Sequence, residues 1–279
     1  MTTIIKIRLM IINLLLLLVV GCSVFHHDPE AAYQGLDAEQ LYQRAEIELD
    51  GHNYSEAASM LETLDARYPF NKNAQQAQLN IIYAYYKAGD KASAAAAADR
   101  YIRLYPRGAH TDYAYYMQGV ANFEQDHGLL QRYLPVDQAD RDPGTARQAY
   151  DNFVTLSQRF PDSQYTADAQ QRLIYLRNLF ARNELHVAKF YLRREAYVAA
   201  ANRASQIIER YPQAPAVPEA LVVLVKAKYA LGLQGAGDNA LRVLKQNYPQ
   251  APETLALERD LHHVQAGRTP PKRWWQILS

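Results

Sequence analysis

The sequence predicts an all-α protein, an α-solenoid of about five helix-turn-helix repeats in a single elongated domain, and three observations carry that reading. Five aromatic–proline pairs punctuate the chain: Tyr68-Pro69, Tyr105-Pro106, Phe160-Pro161, Tyr211-Pro212 and Tyr248-Pro249. Small residues upstream repeat at one spacing, with Ala45, Ala57 and Pro69 matched by Ala188, Ala200 and Pro212. The connectors after Pro69, Pro106 and Pro212 are all about five residues long. Proline lacks the helical N–H and biases its predecessor away from the α region, so each pair is a helix terminator. Five similar stops imply five similar units.

Residues 1–21 read as a signal peptide. Lys6 and Arg8 precede the apolar run Leu9 to Val20, broken only by Asn13. Twelve helical residues span roughly 18 Å, short of the ~30 Å hydrocarbon core that a permanent membrane helix crosses. The run ends Val19-Val20-Gly21-Cys22, which resembles the lipobox at which bacterial lipoproteins are cleaved. That resemblance implies N-acyl (palmitate) and S-diacylglycerol chains on Cys22, enough hydrocarbon for lasting attachment. Ser23, rather than Asp, follows the cysteine, a pattern that in lipoproteins goes with the outer membrane. Residues 22–37, with Pro29 and Gly35, read as a lipidated flexible tether reaching about 50 Å when extended.

Within the solenoid, 38–249, the units begin near Ala38, Gln75, Thr111 to Asp112, Ala181 and Pro218. Ala at the repeated positions lets two antiparallel helices approach closely, with Leu61, Leu64, Ile207 and Ile208 supplying apolar contact. The pattern resembles the tetratricopeptide repeat (TPR). Two intervals between prolines are long. The first carries extra residues within Glu124 to Thr145, including Gly128, Pro135 and Asp140-Arg141-Asp142-Pro143, and predicts a loop between the two helices of the third unit. The second contains Thr166 to Phe180, where Leu173, Leu176 and Phe180 share a face, and predicts an added or extended helix. Residues 250–279 form a C-terminal helix, roughly Glu253 to Gln265, and a tail with Pro270-Pro271 and Trp274-Trp275. Stacked pairs bury their apolar faces against neighbours and leave a long concave surface, which suits binding.

Composition removes several function classes. Lys plus Arg number 30 against 29 for Asp plus Glu, so no bulk field points to nucleic acid. The single cysteine excludes an internal disulfide framework and a multi-cysteine metal site. His26-His27 and His262-His263 point about 100° apart on a helix and make poor joint ligands. No HExxH, P-loop, GxSxG or dinucleotide fingerprint is present. Glu184 and His186, at i, i+2, do not face each other. The reading is of a non-enzymatic protein with no catalytic residue, metal or cofactor. Tyrosine stands out, 21 against 7 phenylalanines, as a residue suited to half-buried surfaces.

Five stretches go beyond a generic repeat: Arg67-Tyr68-Pro69-Phe70, Ile82-Tyr83-Ala84-Tyr85-Tyr86-Lys87, Asp99-Arg100 through Ile102-Arg103-Leu104, Asp140-Arg141-Asp142-Pro143, and Pro161-Asp162-Ser163-Gln164-Tyr165. Together they resemble the BamD family of outer-membrane β-barrel assembly lipoproteins, over about Tyr42 to Pro249. The resemblance implies a lipid-anchored scaffold on the periplasmic face of the outer membrane of a Gram-negative bacterium. It implies docking of a POTRA domain of BamA, association with BamC- and BamE-type lipoproteins, and capture of unfolded outer-membrane proteins. It also places a substrate-recognition pocket in the first half. An adaptor for a protease or a cell-wall synthesis enzyme, built on the same anchor and repeats, is the alternative.

In tetratricopeptide arrays the first helix of each unit lines the inner surface. The register puts Tyr83 and Tyr86 there in the second unit and Tyr113 and Tyr116 in the third, each pair at i, i+3. Tyr68 and Phe70 lie at the turn beside them, and Arg100 and Arg103 on the next helix could meet acidic groups or a terminal carboxylate. These eight residues form the expected substrate set. Arg182, Lys189 and Arg193 take the corresponding positions in the fourth unit, with Arg203 on its second helix. Arg203 lies in Val198 to Ile207, similar to the segment through which the family meets BamA, so these four form the expected BamA-binding set.

Overall fold

The computed structural model describes residues 33–125 and 144–265. The signal segment, Cys22, His26-His27, Asp140 to Pro143 with the rest of 126–143, and the Trp274-Trp275 tail lie outside the described residues. Among the described residues, regular structure is helical throughout. The helices are α1 (Ala38–Asp50), α2 (Tyr54–Arg67), α3 (Ala74–Ala88), α4 (Lys91–Leu104), α5 (Thr111–Gln125), α6 (Gly144–Arg159), α7 (Thr166–Arg193), α8 (Tyr197–Arg210), α9 (Val217–Ala230), α10 (Gln234–Asn247) and α11 (Pro252–Gln265). The chain divides into two packed units, one through Asp90 and one from Lys91.

In the first unit α1 packs on α2 and α2 on α3. A capping box starts α1: Asp37 Oδ1 accepts from the Gln40 N–H at 2.8 Å, and Gln40 Oε1 accepts from the Asp37 N–H at 3.2 Å. Ala45 and Ala57, the small residues of the repeat, are fully buried, so the hairpin closes as their spacing predicts. The preceding segment is tied down by two side chains from the end of α2. Arg67 donates to the Tyr33 carbonyl at 3.0 Å and the Tyr68 hydroxyl donates to the Leu36 carbonyl at 3.1 Å.

In the second unit each helix packs on the next from α4 to α10, and contacts also join α7 to α9 and α9 to α11. First helices of successive hairpins therefore stack on one another, as in a tetratricopeptide array. The long interval before the fourth unit is an extension and not a separate helix. No Gly or Pro interrupts Thr166 to Arg193, and α7 runs for 28 residues, roughly 42 Å at the helical rise. Its second half joins α8 to α10 in one apolar core around Ala188, Ala200, Ile207, Val225 and Leu244. Within it Lys226 is buried and reaches Asp260 of α11 at 3.8 Å; burial pushes its ammonium down, against the pull of Asp260.

The five aromatic–proline stops share one hydrogen-bond pattern. The aromatic N–H of Tyr68, Tyr105, Phe160, Tyr211 and Tyr248 closes the last helical turn on the carbonyl four residues back. The aromatic carbonyl then accepts from the N–H three residues on: Asn71, Gly108, Ser163, Ala214 and Ala251. A third bond from the residue six positions past the aromatic opens the next helix. Where that residue is threonine, its hydroxyl also donates to the aromatic carbonyl, Thr111 at 2.7 Å, Thr166 at 2.8 Å and Thr254 at 2.7 Å. The polar groups freed by the break are thereby re-satisfied. Turns inside the hairpins are less uniform: α3 ends on Gly89 and α9 on the Leu231-Gly232 turn, both with a glycine at positive φ, whereas His52 and Glu195 adopt φ of 63° and 61° with side chains in place.

Two features fix α4, α5 and α6. A row of amides runs across them: Gln118 donates to Asp99 at 3.4 Å, Asn152 to Gln118 at 2.7 Å, and Asn122 to Asn152 at 2.9 Å. Gly119 of α5 lies against the ring of the fully buried Phe153, where an added Cβ would stand 2.6 Å from Cε1. Gly119→Ala is therefore expected to destabilise the protein by about 1–3 kcal/mol through overpacking. A lower denaturant midpoint checks it, and an unchanged midpoint would show that the ring moves aside freely.

Candidate functional site

The sequence of α3 decides which side chains the first unit presents. Leu79, Ile81, Ile82 and Ala84 go into the core. Tyr83 stays 40% exposed and Tyr86 is half-buried. The Tyr83 ring meets Tyr54, the first residue of α2, edge to face at 6.0 Å, and His52 meets the same Tyr54 at 5.6 Å. The Lys87 ammonium stands over both tyrosines, 5.6 Å from the Tyr54 centroid and 5.9 Å from that of Tyr83. Phe70, in the connector after α2, is 99% exposed, while its neighbour Tyr68 is half-buried and commits its hydroxyl to Leu36. Two residues of the expected substrate set, Phe70 and Tyr83, thus offer apolar ring surface to solvent.

The tyrosines of the second unit are engaged differently. Tyr116 stacks on Tyr165 at 4.8 Å with the planes 18° apart, and Tyr113 meets the same ring at 5.7 Å. The Tyr116 hydroxyl donates to Asp168 Oδ2 at 3.0 Å, and Arg172 Nε donates to the same oxygen at 2.6 Å. The Arg172 guanidinium lies 5.1 Å from the Phe123 centroid, and Phe123 meets Tyr175 at 5.5 Å. Burial, then the Asp168 hydrogen bond, push the Tyr116 phenol up. Burial pushes the Asp168 carboxyl up as well, but Arg172 and Tyr116 outweigh it and hold it below its usual range. On α4, Arg103 is exposed and ion-paired with Asp99, and Arg100 is half-buried.

Two of the four residues expected to meet BamA have internal partners. Arg203 donates to Glu184 Oε2 at 2.7 Å, and Lys189 to Glu219 Oε1 at 2.7 Å. The Arg203 side chain keeps 40% of its surface exposed and Glu184 16%, so the pair fixes the guanidinium from below. Arg182 and Arg193 are exposed on α7. Near them Phe190 and Val198 are exposed too, with the Arg194 guanidinium 5.4 Å from the Phe190 centroid.

Tyr54, Lys87, Tyr165, Asp168 and Arg172 were not in the expected sets. Asp168 and Arg172 carried a signal, opposite charges at i, i+4; Lys87 and Tyr165 stood within stretches that resemble the family, but the ring contacts of Tyr54 and Tyr165 cross between helices and leave no local signature. No group of His, Cys, Asp and Glu among the described residues is placed to hold a metal.

Asp168, depressed in the fold, contributes stability above its unfolded value of 3.8 and loses it as pH falls through the lower folded value. Asp168→Asn is expected to lower Tm at pH 7, with the gap to the parent closing below pH 3.8. A gap of the same size at pH 7 and pH 2 would contradict the assignment.

Comparison with known proteins places this architecture in a family. A family model described as YfiO, outer membrane lipoprotein, matches residues 34–244. The outer membrane protein assembly factor BamD of Neisseria meningitidis serogroup A is 41% identical over 219 residues, covering 78% of this chain and 82% of that one. BamD of Vibrio cholerae is 37% identical over 234 residues, covering 84% and 95%; BamD of Xylella fastidiosa strain Temecula1 is 36% identical over 236 residues, covering 85% and 80%. The chain belongs to the BamD (YfiO) family of outer-membrane lipoproteins, non-enzymatic assembly factors for outer-membrane proteins.

Proposed function

We propose that the protein, anchored through acyl chains on Cys22, holds unfolded outer-membrane proteins on its tyrosine-bearing helices and docks the POTRA domain of BamA through its second half. Unfolded barrel proteins present strands whose alternate side chains are apolar or aromatic. The observation that carries the substrate reading is the solvent exposure of Phe70 and Tyr83 in the first unit, since buried rings dominate interface energetics. Tyr86 belongs to the same surface. Tyr113 and Tyr116, already stacked on Tyr165, serve mainly to shape the second unit. BamC- and BamE-type lipoproteins complete the proposed set of partners. Residues 22–37 act as the tether, 38–249 as the repeat body and 250–279 as its C-terminal extension.

For the BamA contact the support is the pre-set guanidinium of Arg203. Glu184 holds one edge, and the exposed remainder can pair with a carboxylate of the POTRA domain, fixing register. Arg182, Lys189 and Arg193 add positive charge on α7.

Tyr83→Ala with Tyr86→Ala is expected to weaken binding of a peptide from the C-terminal strand of an outer-membrane barrel by about tenfold, the scale of one lost ring anchor. Unchanged affinity with an intact helical signal would refute the substrate reading. Arg203→Met should lower affinity for the isolated POTRA domains at least as much, without loss of helicity. Equal affinity for parent and variant would remove Arg203 from the interface.

A further inference from the structure

The first unit holds an open cleft of about 490 Å³ between the α1–α2 turn and the end of α3, lined by Glu48, His52, Tyr54 and Glu56 among others. Its two carboxylates are bonded to neutral donors: Asn53 Nδ2 gives to Glu48 at 2.7 Å, and the Tyr33 hydroxyl gives to Glu56 at 2.5 Å. Among the described residues neither has a cationic partner. Glu39 of the same unit, by contrast, is paired with Lys72 at 2.8 Å. The field of both carboxylates is felt at the Tyr33 phenol, which burial and then Glu56 push up, with Glu48 adding to it. One wall is the Tyr54 ring, and the adjoining Tyr54–Tyr83 pair already carries an ammonium, that of Lys87. Lys87 ion-pairs with neither glutamate among the described residues.

A cleft with two carboxylates that have no ion-pair partner among the described residues, and a π-face at its edge, is complementary to a cation on a flexible stem. We infer that this cleft receives the arginine or lysine side chain of a bound polypeptide, its head between Glu48 and Glu56 and its stem along Tyr54. The carboxylates supply charge-assisted hydrogen bonds and the ring a cation–π contact. Lys87 competes for the rings and repels the incoming cation, so it lowers the affinity of the site. The α1–α2 turn keeps His52 at φ 63°, where Gly89 and Gly232 stand at positive φ in other turns, and its ring meets that of Tyr54 edge to face. The inference shares Tyr83 with the proposed substrate surface but does not rest on that reading: it concerns charge, and its decisive residues are Glu48, Glu56 and Lys87.

The test is calorimetric titration of the full chain in detergent with acetyl-Ala-Ala-Arg-Ala-Ala-amide and its citrulline counterpart, which keeps shape and loses charge. The arginine peptide is expected to bind at least fivefold tighter, with the preference shrinking as salt rises. Glu48→Gln with Glu56→Gln should erase the preference, and Lys87→Met should tighten arginine binding severalfold. Equal affinity for the two peptides would overturn the inference. So would an undiminished preference in the double glutamine variant, or no gain in Lys87→Met. Lys87 is exposed, so that variant carries the test alone if the glutamine variant loses its helical signal. Failure of the barrel-strand peptide to bind, with the arginine preference intact, would sink the substrate reading and leave the cleft standing.

Discussion

The aromatic–proline stop is the constraint on which the rest of the structure depends. Each stop must end a helix, turn the chain and begin the next helix within a few residues while leaving no backbone group without a partner. The shared answer makes the aromatic carbonyl an acceptor for the N–H three residues on. In three cases it accepts a threonine hydroxyl as well. The geometry is reproducible: Tyr68, Tyr211 and Tyr248 leave their helices at φ of −134°, −130° and −133°. A repeated exit angle delivers each following helix in the same way, and this lets first helices stack, α7 on α9 and α9 on α11. Within the second unit, first helices stack only because the stops are alike.

Tyrosine on the first helices has two fates, separated by what the neighbouring helix offers. Opposite α5, the start of α7 supplies Tyr165, Asp168 and Arg172, so Tyr113 and Tyr116 find a ring to stack on and a carboxylate to bond. Their apolar faces are used and the unit is stiffened. In the first unit Tyr83 meets only the edge of Tyr54 and an ammonium, and Phe70 meets solvent. Tyrosines on the first helices of neighbouring units thus serve packing in one place and stay open to solvent in the other.

Much of this was legible in the sequence because it is periodic. The stops, the paired alanines and the starts near Ala38, Thr111 and Pro218 are local signals, and the helices begin within a residue or so of them. The extension of α7 was half-legible: Leu176 and Phe180 marked a helix, but only the absence of Gly and Pro across Ala181 shows that it is continuous with the fourth unit. What could not be read depends on contacts between helices. The amide row from Asp99 to Asn122 joins residues with no common period. Gly119 reads as a helix weakness until Phe153 is placed against it. Arg203 was legible as a charge, whereas its clamp by Glu184 was not, because the two lie on different helices. The positive φ of Glu195 had no signal, since that residue type is not favoured there; His52 is of a type enriched at positive φ, a signal too weak to mark one turn.

The energetics of the exposed rings bear on how an assembly factor without catalytic chemistry can hold a client and still release it. Burying one large apolar side chain contributes about 1.5–3 kcal/mol, so Phe70 and Tyr83 together offer at most about 6 kcal/mol. Ordering a client's side chains and docking it offset much of this, at roughly 0.5–1.5 kcal/mol per immobilised side chain. On the proposed reading the surface is therefore weak at any one point and gains affinity by touching a long, unfolded client at several points. On that same reading a barrel strand would leave as its own hydrogen-bonded pairing begins, because pairing would withdraw its side chains from the exposed rings one at a time. Tight, enclosed pockets would forfeit that stepwise release, and the half-open tyrosines of the first unit are consistent with a scaffold that depends on it.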